Sequence, residues 1–315
     1  MTAATAGSGM KWVGRAMRRL EDPALVSGRG RFTADLPAAL HVRFIRSQVA
    51  SGRIVRIAAP DGAKMVCAAD LDGVRPIRPM LHKFDYQPIE QPVLAKAVVR
   101  FVGEPVAAVV AATGAEAEDI ADRVEIEIAE LPAVADAREA LSPDAPRVHD
   151  TIQSATNVVV EGRIKTADFD AAMATAHRRV RVHARSHRQN ATPLEARAAH
   201  AAFDQVSGRT TLTCATQMPH LTRTAIADVL GFAEADLRVI APDVGGGFGQ
   251  KMSLPAEYVV LVWLARHLRT SVAWSEDRRE NLISAFHSRD QYVELEGAFD
   301  DTGKLIALAG DVLAN

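Results

Sequence analysis

The segment "PAEYVVLVWLARHL" (residues 255–268) reads as a helix that is apolar on nearly every face. A helix without a polar stripe has to be enclosed by other elements, so the chain must build a large layered core around it. Pro255 suits its first turn. Just before it, "DVGGGFGQK" (residues 243–251) places four glycines and one phenylalanine in nine residues. "DLRVIAPDV", which reads as a strand, runs directly into those glycines. Strand, glycine loop and helix in succession are the usual layout for holding an anion on bare backbone N–H groups.

A chain of 315 residues that is 48% hydrophobic and 24% charged is long enough for about two domains and a core that needs no disulfides. A formal net charge of -2 argues against nucleic acid or an anionic membrane as the main partner. Cys67 and Cys214 lie far apart with no CxxC spacing. That pattern fits a reducing compartment and excludes an iron–sulfur or structural zinc site built by this chain alone. "MTAATAGSGMKWVGRAMRRL" has no apolar leader region, and no apolar stretch is long enough to span a bilayer. The expected location is the cytoplasm.

Two units are expected, at residues 11–145 and 151–315, joined by the proline-containing "LSPDAPRVHD". In the first, "LHVRFIRSQ" alternates as a strand and "EPVAAVVAA" is a buried strand. "TGAEAEDIADRV" reads as a helix and "VEIEIAE" as a strand, which predicts a strand–helix–strand unit. In the second, "RRVRVHARSH", "AHAAFD", "TTLTCAT" and "SVAWS" read as strands. "HLTRTAIADVLGF" reads as a helix closed by Gly231, and "DRRENLIS" as a short one. The last stretch predicts a hairpin turning at "DDTG", whose final strand "IALAGDVLAN" has a free edge and suggests completion by another chain.

Two familiar nucleotide loops fail here. A Walker A loop needs GK[ST], but Lys251 sits between Gln250 and Met252, and a GxGxxG begun at Gly245 meets Gln250 where the last glycine belongs. A tight turn therefore stays open beside anion binding. Phe248, set between glycines, is unsuited to the core of a regular element, which points to a specific role for its ring or its amide.

Taken in order, "TQ" at Thr216–Gln217, a helix ending in "LGF", a strand, "GGGFG" and Lys251 resemble the molybdenum-binding subunit of the xanthine dehydrogenase/aldehyde oxidase family, which includes aerobic carbon monoxide dehydrogenase. "RRLEDPALVSGRGRFTADL", "FVGEPVAAVVAAT", "PLEARAAHA" and "WSEDRRENL" agree with it. The resemblance implies an α+β chain, an a/b hammerhead domain followed by the first part of a molybdopterin-binding α/β domain. It implies that Gln217, Gly246, Gly247, Phe248 and Gly249 bind a molybdenum–molybdopterin cofactor, in the cytosine dinucleotide form of bacterial relatives. Gln217 and Phe248 would approach the metal through its ligands or through backbone. The family's reaction is water-derived hydroxylation, with a glutamate as general base on a later part of the large subunit, and none of this chain's residues is assigned that role. The 2Fe-2S and FAD groups are expected on partner subunits.

The family's large subunits are far longer, so a second polypeptide is expected to carry the rest, the chain being inactive alone. Met252 stands where purine-oxidising members have a glutamate, which favours an N-heteroaromatic or aldehyde substrate over xanthine. A truncated non-catalytic scaffold of the same fold and a carbon monoxide dehydrogenase-type subunit are the alternatives. His183 and His187, four apart, fall in an alternating strand and read as non-metal histidines; Cys214 reads as a buried apolar residue. Glu195 reads as adjacent to the site, and Lys251 either meets a cofactor phosphate or caps local backbone. "EDRRE" (276–280) reads as a solvated or interface ion-pair cluster.

Overall fold

The computed structural model describes residues 12–79 and 84–315. Residues 1–11, which hold part of the stretch read for a leader and the first residue of the first expected unit, lie outside the described residues. In chain order the first region contributes β1 (Leu40–Arg46), β2 (Gly52–Ala58), β3 (Lys64–Cys67) and β4 (Pro105–Ala111). Helix α1 (Gly114–Ala121) and strand β5 (Glu125–Glu130) follow. The second contributes α2 (Phe169–Ala174), β6 (Arg178–Gln189), β7 (Ala198–Phe203), β8 (Thr210–Cys214), α3 (Pro219–Leu230) and β9 (Leu237–Ile240). It closes with α4 (Ala256–Leu268), β10 (Ser271–Ser275), α5 (Arg278–Ser284), β11 (Ser288–Phe299) and β12 (Leu305–Ala314).

Among the described residues a seven-stranded sheet runs in the order β9-β8-β7-β10-β1-β4-β3. It crosses from one sequence region to the other where β1 pairs with β10 in parallel, Leu40 opposite Val272. The core is shared in the same way. Val42, Phe44 and Val110 pack with Leu212, Leu261 and Trp274, and the Phe44 and Trp274 rings meet edge to face at 5.5 Å. Helix α4 lies on this sheet with most of its residues buried, as its unbroken apolar surface requires. Every residue of β4 is buried because alternate side chains feed cores on both faces. Gly231 closes α3 at φ 70°, the left-handed conformation that ends a helix at glycine.

The strand–helix–strand succession forms as expected, in β4, α1 and β5. Thr113 caps α1 by accepting the Glu116 N–H, but β5 does not return beside β4. Both edges of β4 are already taken by antiparallel β1 and β3, so β5 pairs with β2 in a separate small sheet. The hairpin forms as expected: Asp300 Oδ1 accepts the amides of Thr302 and Lys304, and β12 pairs with β11, which pairs in turn with β6. Among the described residues no strand pairs with the outer edge of β12.

A correction concerns residues 276–280. Glu276 and Glu280 are each 4% exposed rather than solvated, because arginines distant in sequence reach them inside the molecule. Arg46 donates to Glu280 Oε1 at 2.8 Å and to Glu257 Oε1 at 2.6 Å, while Arg197 Nε donates to Glu276 Oε1 at 2.9 Å. The strands of both regions are thereby stitched by buried charge.

Glu104, just before β4, is buried and accepts the Arg100 N–H, and burial pushes its carboxyl up to about 7. A raised folded-state value favours the neutral acid, so its stability contribution is held below the unfolded value near 4.5 and lost as pH rises through 7. Glu104→Gln keeps an acceptor without a charge. It is expected to gain about 2–3 kcal/mol over the natural chain at pH 8. The gain should fade toward pH 4 in urea titrations, and an equal gain at both values would exclude the ionisation as its cause.

Candidate functional site

The site forms where β9 runs out at the end of the large sheet. Asp243 anchors the entry: its N–H donates to Arg31 O at 3.1 Å and its carboxylate accepts the Arg31 N–H at 2.8 Å. Beyond it the backbone changes hand repeatedly, with φ of 99° at Gly246, 51° at Phe248 and 89° at Gly249, while Gly247 keeps the ordinary sign. Alternating hand turns successive N–H groups toward a common concavity, the arrangement that binds anions. The amides of Gly246, Gly247 and Phe248 have no acceptor among the described residues. Phe248 is 75% exposed, and its ring lies against Gly246, where a Cβ would sit 2.8 Å from Cε2. Glycine at 246 is what allows that ring position.

Gln217 follows β8 and reaches the loop from the neighbouring strand. Its own N–H donates to Lys251 O at 3.0 Å, and its Oε1 accepts the Gly249 N–H at 3.0 Å. Since Gly249 needs an acceptor, that assignment leaves Nε2 as a donor with no partner among the described residues. The contact is close: a Cβ on Gly247 would fall 2.4 Å from Gln217 Oε1. All five residues expected at the cofactor, Gln217, Gly246, Gly247, Phe248 and Gly249, are thus brought together.

Beneath the loop, Glu195 Oε2 accepts both the Gly245 N–H and the Lys251 ammonium at 2.8 Å. Burial lowers the Lys251 value and Glu195 opposes that shift. Lys251 thus meets a carboxylate, a partner that the sequence did not indicate. Gln250 is held from two sides, donating to Asn190 Oδ1 at 2.8 Å and accepting from Asn281 at 3.1 Å; Asn281 also donates to Glu276. Asn190 and Asn281 carried no signal in the sequence, since nothing local marks either as a neighbour of the loop. The other candidates stay away. His183 lies on β6 with Nδ1 3.5 Å from Glu294, and His187 is on the same strand. Cys214 is fully buried, its thiol pushed up to about 12 by desolvation. Among the described residues no His/Cys/Asp/Glu cluster is arranged to ligate a metal directly, and no helix is long and apolar enough to cross a membrane.

Residues 148–315, which contain this whole loop, match the family described as "Molybdopterin cofactor-binding domain". Residues 27–132 match "Aldehyde oxidase and xanthine dehydrogenase, a/b hammerhead domain". The chain belongs to the molybdopterin-binding large-subunit family of xanthine dehydrogenase, aldehyde oxidase and carbon monoxide dehydrogenase. Its α+β fold is the hammerhead domain followed by part of the molybdopterin-binding domain of that family. It is 33% identical over 312 residues to the nicotine 6-hydroxylase large subunit of Paenarthrobacter nicotinovorans, covering 96% of this chain and 38% of that one. It is 33% identical over 337 residues to the carbon monoxide dehydrogenase large chain of Afipia carboxidovorans, covering 100% and 41%. The crystal structure of quinoline 2-oxidoreductase from Pseudomonas putida 86 superposes with a TM-score of 0.85 at 38% identity, covering 94% of this chain and 38% of that one. The chain spans about two fifths of the length of these family relatives.

Proposed function

We propose that this chain forms one wall of the cofactor site in a molybdenum hydroxylase, acting on an N-heteroaromatic or aldehyde substrate. The observation that carries the reading is a set of unsatisfied donors gathered on one loop: the amides of Gly246, Gly247 and Phe248, with Gln217 Nε2 beside them. An anionic, oxygen-rich metal–pterin group needs N–H donors and close backbone approach, and this loop offers both. When bound, the group supplies two-electron oxidation of a carbon centre with oxygen drawn from water. Gln217 orients by donating from Nε2, while Gly246 to Gly249 hold the group through main chain. Similarity to a nicotine hydroxylase and a quinoline oxidoreductase, and the exposed Met252 beside the loop, support the heteroaromatic class.

We assign the general-base glutamate, and the rest of the cofactor contacts, to the part of the family's large subunit that this chain does not contain. The cytosine dinucleotide form of the pterin, a 2Fe-2S subunit and an FAD subunit complete the proposed assembly. The test is molybdenum and pterin analysis after co-expression with that complementing part; an assembled complex free of both would make the chain a non-catalytic scaffold. Within a loaded complex, Gln217→Ala and Phe248→Ala are expected to leave folding stability within about 1 kcal/mol, since both residues are exposed. Turnover is expected to fall by roughly tenfold or more, the scale of losing one positioned donor or contact. Natural rates in both variants would remove these residues from the site.

A further inference from the structure

The glycine loop has two ends, and a single oxygen atom holds both. Glu195 Oε2 accepts the Gly245 N–H at the start of the loop and the Lys251 ammonium at its finish, each at 2.8 Å. The Glu195 N–H completes the grip on Gly245 by donating to its carbonyl at 3.2 Å. The two segments lie so close that a Cβ on Gly245 would come within 2.6 Å of Glu195 Cβ. The Lys251 side chain is 0% exposed and the Glu195 side chain 13%, so this carboxylate is the hydrogen-bonded counter-charge of a buried ammonium. Glu195 Oε1 is also buried and has no partner among the described residues, so the hydrogen bonds seen for this carboxylate all go to the loop.

Between these ends the Gln250 N–H donates to Gly247 O, the Gly249 N–H to Gln217 Oε1 and the Met252 N–H to Gly249 O, and Asn190 and Asn281 fix the Gln250 side chain. Lys251 O in turn accepts the Gln217 N–H. Where Lys251 sits therefore sets where Gln217 and the free amides aim. We propose that Glu195 is a positioning residue that clamps both ends of the glycine loop and so fixes the direction of its cofactor-facing donors. The clamp itself is read from this chain alone; its purpose rests on the function proposed above.

The test uses the full chain without cofactor. Glu195→Gln and Lys251→Met should each lower the melting temperature, since one buried partner is left without the other. The double variant removes charge and counter-charge together and should recover the natural melting temperature. Its Gly249 and Gln250 amides, neither of which bonds to Glu195, should still exchange hydrogen about tenfold faster or more, as expected for a loop that has lost a charge-assisted tether. Glu195→Asp keeps the charge within reach of the flexible lysine but withdraws from Gly245. It should melt like the natural chain with the same faster exchange. Natural protection of Gly249 and Gln250 in both the double variant and Glu195→Asp would overturn the clamp. In the complemented complex the clamp variants should also lose molybdenum and pterin on dialysis about tenfold faster. A natural complex that holds neither overturns the proposed function, while the exchange result still decides the clamp.

Discussion

Arg197→Met is expected to destabilise the chain by about 3–5 kcal/mol, the cost of removing one member of a buried ion pair. A loss of that size lowers the melting temperature by on the order of 10 °C in a protein of this length. The arginine is 1% exposed and lies just before β7. Its backbone N–H and its guanidinium both bond Glu276, its Nη2 reaches Ser284 Oγ at 2.8 Å, and Glu257 lies 3.6 Å away. A methionine fills much of the space and answers none of these carboxylates. Burial pushes the Glu257 carboxyl up, but Arg197 and Arg46 outweigh it and hold the value below the usual range. A depressed folded-state value contributes stability above the unfolded one and loses it as pH falls through the folded one. Without Arg197 that contribution shrinks, so the deficit should be larger at pH 8 than at pH 4, where protonation relieves Glu257. Urea titrations at both values check it. A deficit under about 1 kcal/mol, or one independent of pH, would show that this buried pair contributes little to stability.

The residues that announced themselves in sequence did so because one local rule decided their fate. An all-apolar helix has to be covered, which settled α4, and a glycine after a periodic segment settled the end of α3 at Gly231. The continuous run in β4 and the turn at Asp300 followed from equally local chemistry. Failures came where a distant partner decided. The sheet that β5 joins was not legible, because both edges of β4 are taken by β1 and by the four-residue strand β3, too short for any periodicity to show. Glu276 and Glu280 look like surface charges because sequence shows their sign but not their partners, which lie 79 and 234 residues away. The same division runs through the site. Glycines and a phenylalanine between them expose a loop that needs bare backbone, and family resemblance supplied Gln217 as its neighbour. Glu195 was also placed beside the site by the resemblance, but Asn190 and Asn281 hold that loop from elsewhere in the chain, and only the folded arrangement brings them to it.

Gly247→Ala is expected to cut molybdenum and pterin retention in the complemented complex by about a hundredfold, the combined scale of misplacing two hydrogen-bond donors. The added Cβ would stand 2.4 Å from Gln217 Oε1, 2.5 Å from Cδ and 2.8 Å from Cγ, distances no real methyl occupies. Gln217 has to swing away, because the loop is tethered at both ends by Glu195 while the amide is the exposed end of a flexible side chain. That movement breaks the bond from Gly249 and takes Nε2 away from the free amides of Gly246 and Phe248. Global stability should change little, since the displaced group is at the surface. Gly249→Ala is the matched control. Its φ of 89° strains any side chain, but no atom of the described residues lies within 4 Å of the new methyl, so the cost is backbone strain of about 1–2 kcal/mol with Gln217 left in place. Strain of that size raises cofactor loss by roughly tenfold. If a methyl at 247 reduces retention no more than a methyl at 249, the close fit between Gly247 and Gln217 has no part in holding the cofactor.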